Sequence, residues 1–332
     1  MSTKYSNFSR VKLKTTTVII ICILIISGLI YVLYSTYIFP IKAVEMGMAV
    51  EFNDHAAAAW IALDKGWFRE ESINISTLLT FKTGLELAAA LARGDVNVAW
   101  VCLGPAVMAY SRGVPLVIVC MTHLHGYAIV SRPEYKDINE LNNKVVVCPG
   151  PGSPCWLLLK VVMDKYNLNV QVKKMAPYIA LNALISGQID AVVLPEHYVT
   201  LAKLKGMNVL LRSQDIWPNM PGSVLVVKRE YLESHPDIVY KLVKITVRAL
   251  NYIENNPEDS ARIVAKKLGI AYEAALESMK HLEYTYEIDE QQIQTYINLL
   301  VKYGALEKGF KASQIIYKDF LISVEEYEAF KI

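Results

Sequence analysis

The stretch Ala90-Leu91-Ala92-Arg93-Gly94-Asp95-Val96-Asn97 returns later in the chain as Ala183-Leu184-Ile185-Ser186-Gly187-Gln188-Ile189-Asp190. Each copy ends a helix-like run and leads into an apolar, strand-like run. Nineteen residues beyond each glycine stands another, Gly113 and Gly206, and apolar runs follow both, at Leu116–Val119 and Val209–Leu211. One offset of 93 residues therefore relates the two halves over this span. A period that long, with helix and strand alternating, points to two similar α/β lobes and away from a solenoid of short repeats. Two facing lobes enclose a cleft, and a cleft suits a small molecule.

The 332 residues suffice for two cores. Apolar residues make up 53% of the chain, above the soluble norm, and part of the excess lies in one N-terminal segment. Lys4, Arg10, Lys12 and Lys14 precede the first acidic residue; without residues 1–14, the remaining 30 basic and 32 acidic side chains leave a charge of −2. The net charge of +2 is thus an N-terminal tag, and nothing in it marks a nucleic-acid binder. Val18–Leu33 is almost unbroken Val, Ile, Leu and Cys, and Tyr31, Tyr34, Tyr37 and Phe39 lie at or beyond its end. Residues 15–39 meet the length of about 20 apolar residues that a membrane-crossing helix needs. Basic residues before it and aromatics after it orient the segment, with residues 1–14 as a cytoplasmic tail and the chain beyond about 40 outside. The rival reading is a cleaved signal peptide; the run is long for one, and no Ala-x-Ala follows closely.

Along the body the pattern reads as strand Lys42–Val50, polar break Phe52–His55, helix Ala56–Lys65 closed by Gly66, strand Ile73–Leu79, helix Leu85–Ala92, strand Val96–Leu103, a helix from Gly104-Pro105 to Gly113, and strand Val114–Met121. This βαβαβαβ order is that of a parallel sheet covered by helices. Tyr127–Val130 and Arg132-Pro133 read as a connection. A second series follows: strands at Val145–Cys148, Val170–Met175, Asp190–Leu194 and Asn208–Leu211, with helices at Trp156–Tyr166, Tyr178–Ser186 and from Pro195-Glu196. Ser223–Lys228 is an apolar strand expected to return to lobe one. The remainder reads as helical and is expected to pack on lobe one. Ile238, Leu242, Ile245, Ala249 and Tyr252 fall at helix spacing, Asn256-Pro257-Glu258-Asp259 opens a further helix that Gly269 closes, Asp289–Tyr303 ends at Gly304, and Ser323–Glu326 is a capping box.

In an open α/β sheet, ligands sit beyond the carboxyl ends of the strands, where helix N-termini offer free N–H groups and a positive dipole end. The strand-to-helix turns supply the candidate contacts: Asn53, Asp54, His55, Thr83, Gly84, Gly104, Pro105, Gly152, Ser153 and Glu196, with the nearby Trp156, Tyr178 and His123. Gly152 and Ser153 lead, since glycine permits close backbone approach and serine adds a hydroxyl. Trp60, His197, Tyr198 and Trp217 also lie in or near the turns and suit an aromatic-walled pocket, although any one of them alone is better explained as core. His123-x-His125 offers two metal ligands, too few for a closed zinc site, so no metal is expected. Cys148 and Cys155 bracket the Pro-Gly turn; they are either a disulfide or two buried thiols. No Gly-x-Ser-x-Gly, P-loop or GxGxxG is present, and no catalytic residue or cofactor is assigned.

Several segments together resemble a known family. Ala58–Phe68 with its Lys-Gly-Trp-Phe end, Leu87–Asn97, Asp137–Val147, Gly150–Ser153, Ala183–Pro195, Ser234-His235-Pro236 and Asn255–Glu258 follow the order and spacing of the substrate-binding proteins of ABC importers in the nitrate/sulfonate/taurine group, which includes binding proteins for thiamine-pyrimidine precursors. Asn97 replaces the usual Asp, and Asn142-Asn143-Lys144 replaces Lys-Gly-Lys. The resemblance implies a two-lobed, type II periplasmic-binding-protein-like fold with a hinge, lobe one at 43–129 and 224–332, and lobe two at 130–223. It also implies a non-enzymatic role: capture of a small organic anion by lobe closure, and delivery to an ABC permease driven by an ATPase. A pyrimidine-type heterocycle is the alternative ligand. A pyrimidine-synthase-like enzyme and a sensor ectodomain are weaker alternatives, since the cysteines are not clustered and only about 14 residues precede the anchor.

Overall fold

The computed structural model describes residues 24–30 and 44–322. Residues 24–30 are helical, with Leu24, Ile25, Ile26, Leu29 and Ile30 exposed. The rest of the anchor expected at 15–39 and the capping box at Ser323–Glu326 lie outside the described residues. Among those described, no helix is long and apolar enough to cross a membrane.

From Glu45 onward the chain forms one compact unit built on two sheets. The first contains β1 (Val44–Glu51), β2 (Ile73–Phe81), β3 (Val98–Cys102), β4 (Leu116–His125), β10 (Pro221–Lys228) and β11 (Leu282–Tyr284), in the order β11-β4-β10-β3-β1-β2. The second contains β5 (Tyr127–Ser131), β6 (Val145–Cys148), β7 (Gln171–Lys174), β8 (Ala191–Pro195) and β9 (Asn208–Arg212), in the order β7-β6-β8-β5-β9. β1 and β3 pair in parallel, as do β6 with both β7 and β8. The expected elements form near their expected bounds because their signals are local. Gly66, Gly94 and Gly269 stand at helix ends with φ of +74, +83 and +69°, a backbone region that costs glycine nothing.

Strand pairing departs from the all-parallel reading. β10 enters antiparallel between β3 and β4 and splits two strands that the βαβ rule would make neighbours. Tyr127–Ser131 is a buried central strand of the second sheet rather than a connection, antiparallel to both β8 and β9. The chain thus passes from sheet to sheet at His125-Gly126, both with positive φ, and again just before Pro221. The second sheet and its helices close over Val130, Val147, Ala180, Leu184, Val192, Leu194 and Val199. At about 25 cal/mol per Å² of apolar surface, each fully buried Val or Leu contributes roughly 2 kcal/mol against the entropy of ordering.

The helix Pro236–Asn255 buries Ile238, Leu242, Ile245 and Ala249, as their spacing requires. The C-terminal part does not rest on the first sheet alone. Glu277 of the helix Tyr272–Met279 pairs with Lys203 at 3.5 Å, Gln292 accepts from Trp217 Nε1 at 2.8 Å, and Lys302 reaches Asp164 at 2.6 Å. These helices therefore strap both lobes.

Candidate functional site

The carboxyl ends of β1 and β3 face the N-terminal ends of the helices Pro154–Tyr166 and Glu196–Leu204 across a narrow cleft. Its floor is Glu51, the last residue of β1, with Asn53 and Cys102 beside it; Thr83, Gly84 and Pro105 form one wall, and Ser153, His197 and Tyr198 form the other. A seam of close backbone contact brings the two walls together. A Cβ on Gly104 would run into the Gly152 carbonyl oxygen, and one on Gly152 would stand 2.6 Å from Met108 Cγ.

Of the candidates, Asn53, Thr83, Gly84, Pro105 and Ser153 line the cleft. Gly104 and Gly152 form the seam instead. Asp54, His55 and His123 lie behind the floor, fully buried. Glu196 is 1% exposed and turned away into an ion pair with Arg212. Trp156 packs against Tyr303 with ring centroids 6.5 Å apart, and Tyr178 lies at the rim with Lys82 Nζ 4.7 Å above its ring. The hydroxyl of Ser153 is committed locally: it donates to the Gly150 carbonyl at 2.8 Å and accepts from Trp156 N–H at 3.2 Å, which caps its helix. Its role is to hold the turn rather than to donate to a ligand.

The residue missed from sequence is Glu51. Its Oε2 accepts the Cys102 N–H at 3.0 Å, and the Gly84 N–H also bonds this carboxylate. Two N–H groups at the cleft are thus already turned to one of the protein's own carboxyl groups. Burial pushes the Glu51 carboxyl up, and these hydrogen bonds pull it back down in part. Asn53 Oδ1, buried beside it, accepts no hydrogen bond among the described residues. A carboxylate ending the apolar run Met48-Ala49-Val50 was the available signal, because a strand's last residue lies where ligands bind.

Behind the floor a buried polar cluster joins the lobes. His197 Nδ1–H donates to Asp54 Oδ1 at 3.0 Å, from the second sheet's helix to the turn after β1. Burial works to raise the Asp54 carboxyl, but the charge and hydrogen bond of His197, with His55 and Ser278, outweigh it and hold the group well below the usual carboxylate range. His55 Nε2–H donates to the Gly126 carbonyl at the sheet crossing, 2.9 Å away, and burial lowers its pKa to about 4. Neutral His55 then turns a bare Nδ1 toward Cys102 Sγ at 3.8 Å, while Tyr127 O–H donates to the same sulfur at 3.2 Å. Burial and Glu51 push the Cys102 thiol well up, so it is no thiolate nucleophile. His123 packs against His55 with ring centroids 4.5 Å apart and the rings tilted by 56°, and burial holds it well below the usual histidine range. Cys148 and Cys155 are both free and buried, which removes the disulfide reading. Among the described residues no cluster of His, Cys, Asp or Glu is arranged to hold a metal.

Known proteins place this geometry in a family. The taurine-binding periplasmic protein of Escherichia coli is 23% identical over 224 residues, covering 65% of this chain and 69% of the relative. Among solved structures, a ligand-binding component of an ABC-type import system from Staphylococcus aureus superimposes with a TM-score of 0.74 at 18% identity, covering 83% of this chain and 97% of that one. The periplasmic aliphatic sulphonate binding protein SsuA of Escherichia coli gives 0.72 at 18% identity, covering 82% and 97%. These neighbours share the two-lobed α/β fold expected from sequence. The model of the NMT1-like family matches residues 40–269, well over half of the sequence, and the chain belongs to that family.

Proposed function

We propose that this chain is the extracytoplasmic binding component of an ABC importer, which closes its lobes over a small polar ligand and passes it to a permease driven by an ATPase. The observation that carries the reading is the narrow cleft between two sheets, floored by buried polar atoms and joined behind by the Asp54–His197 bond. The similarity to a taurine-binding protein and to the fold of sulfonate and import-system binding proteins supports it. Residues 15–39 serve as a single-pass anchor with the body outside, supported by the length of the apolar run and its basic and aromatic flanks.

The ligand is a small organic acid that also bears an amine or similar N–H donor. Burial already raises the pKa of the Glu51 carboxyl, and a bare anion beside it would raise it further, whereas an ammonium there would favour its charged form. The unpaired Asn53 Oδ1 asks for a donor as well. The same acceptors, with Tyr198 and His197 as aromatic walls, support a second reading: an amino-substituted heterocycle such as a pyrimidine.

Thermal unfolding of the body with taurine, ethanesulfonate, nitrate, bicarbonate and an aminopyrimidine separates these readings, since a ligand bound only to the native state raises the midpoint in proportion to its affinity. Taurine raising the midpoint well above ethanesulfonate supports the amino-acid reading. A shift with the aminopyrimidine alone moves the assignment to heterocycles, and no shift with any member removes this ligand range. Glu51→Gln weakens binding of the amine-bearing ligand by about tenfold or more, as expected for a charge-assisted contact.

A further inference from the structure

The cleft is lined by one carboxyl group and one ammonium, and they stand at different depths. Glu51 lies at the floor, 7% exposed, whereas Lys82, an exposed residue in the turn between β2 and the helix Gly84–Arg93, stands at the mouth. Among the described residues that line the cleft, no other side chain carries either group. The backbone on both sides of Lys82 is tied to the segment that carries Glu51. The Phe52 N–H donates to the Phe81 carbonyl at 2.7 Å, and the Gly84 N–H bonds the Glu51 carboxylate. Thr83 then caps its helix by accepting the Glu86 N–H at 3.3 Å. The turn is thus fixed, and the flexible side chain of Lys82 is the part left free to swing. No carboxylate pairs with its ammonium among the described residues. Lys82 Nζ lies instead over the ring of Tyr178, 4.7 Å from the centroid. Tyr178 is 37% exposed and belongs to the helix Pro177–Ile185 of the second lobe, so the contact spans the mouth of the cleft.

We propose that Lys82 holds the acid group of the bound ligand, and that the Tyr178 ring is the resting place from which the acid draws it. The inference rests on the reading of the ligand as an acid that also bears an amine. It adds an orientation: the amine points inward to Glu51 and Asn53, and the acid points outward to Lys82. A cation over an exposed ring is held weakly, whereas an ammonium and an acid oxygen form a charge-assisted hydrogen bond, so the acid wins the exchange. Opposite groups at different depths favour a ligand whose acid and amine sit on different carbons over one that carries both on the same carbon. The ring and the acid then compete for one ammonium, and removing the ring strengthens binding. A clip that merely ties the two lobes together predicts the reverse, since losing either of its members would weaken binding.

The test is titration calorimetry of the full chain with taurine, ethanesulfonate and aminomethanesulfonate. Lys82→Met is expected to lower taurine affinity at least about tenfold, and Lys82→Arg to keep most of it. Tyr178→Leu is expected to raise taurine affinity by about two- to fivefold, the share that the ring withholds. Both side chains are exposed, so the ligand-free variants are expected to melt as the parent chain does. Taurine affinity unchanged in Lys82→Met overturns the proposal and leaves the reading of an amine-bearing acid intact. A fall in both Lys82→Met and Tyr178→Leu makes the pair a clip and also overturns it. Aminomethanesulfonate binding as tightly as taurine overturns the orientation. Ethanesulfonate binding as tightly as taurine, with the same loss in Lys82→Met, keeps Lys82 as the acid's partner and removes the amine from the ligand. Failure of all three compounds to bind the parent chain removes the ligand reading and the proposal with it.

Discussion

The two copies of Ala-Leu-x-x-Gly close their helices with the same hydrogen bonds. Gly94 and Gly187 donate to the carbonyls of Leu91 and Leu184 at 3.2 and 3.0 Å, and Asp95 and Gln188 to those of Ala90 and Ala183 at 3.1 and 2.9 Å. The later glycines repeat the device: Val114 and Met207 donate to Ala109 and Ala202, both at 3.1 Å. Between these matched ends the copies diverge. After β3 the first runs Cys102-Leu103-Gly104-Pro105, with almost no side chain at the seam; after β8 the second runs Pro195-Glu196-His197-Tyr198, which projects groups toward the cleft and the other lobe. The last position differs too. The Asp190 carboxylate takes the Arg132 guanidinium at 2.8 Å and the Val145 N–H at 2.9 Å, whereas Asn97 is held through its backbone N–H to Gly47 at 3.0 Å. The repeat thus builds a scaffold, and the specific chemistry lies in its departures.

The strongest way to break this contrast is through the partner of the second copy's His197. Asp54→Ala leaves buried polar atoms across the lobes without their charge partner and is expected to destabilise the fold by about 3–5 kcal/mol in urea unfolding. A loss within 1 kcal/mol would mean that the bond does not join the lobes. Because the folded Asp54 carboxyl lies below its ordinary range, its contribution is present at neutral pH and disappears only in strongly acidic solution.

His55 gives the next effect, in the same direction but at higher pH. Its folded pKa is depressed from 6.5 to about 4, so in that window the unfolded chain binds the extra proton. Stability should therefore fall by about 3 kcal/mol as pH drops from 6.5 to 4, and His55→Gln should flatten that limb of the curve. An unchanged slope in the variant would assign the acid limb to other groups.

Gly104→Ala against Gly206→Ala sharpens the comparison directly. Gly206 has open space around it and φ of +81°, so its variant costs about 1 kcal/mol of stability and leaves ligand affinity alone. Gly104→Ala meets the Gly152 carbonyl and is expected to lower ligand affinity about a hundredfold, read by calorimetry, with a modest change in melting temperature. A further small effect is Asp190→Asn, which makes the second copy resemble the first. It removes the charge from a half-buried network and should cost about 1–2 kcal/mol, seen as faster hydrogen exchange at Val145.

Much of the secondary structure was legible because its signals are local. A glycine with positive φ ends a helix wherever the helix lies, and an apolar run of four or five residues between two such turns reads as a buried strand. Tyr127–Ser131 was misread because its neighbours Arg132-Pro133 look like a linker, while its partners β8 and β9 lie some sixty to eighty residues away. The short β11 was invisible for the same reason. The site was legible as turns and less so as atoms. The carboxyl-end rule led to Asn53, Thr83, Gly84 and Ser153, yet it assumed free N–H groups, and Glu51 had already taken two of them.

The sequence by itself therefore determined the two-lobed plan, the helix ends and the places where the cleft would be lined, because backbone geometry and apolar periodicity act over a few residues. The tertiary structure alone decided the insertion of β10 between β3 and β4, the bond from Asp54 to His197 across 143 residues, and the seating of Glu51 where a ligand anion was expected. Those outcomes depend on which distant groups are brought together out of water. There burial makes each unpaired donor or acceptor costly, and the pairing that satisfies most of them prevails.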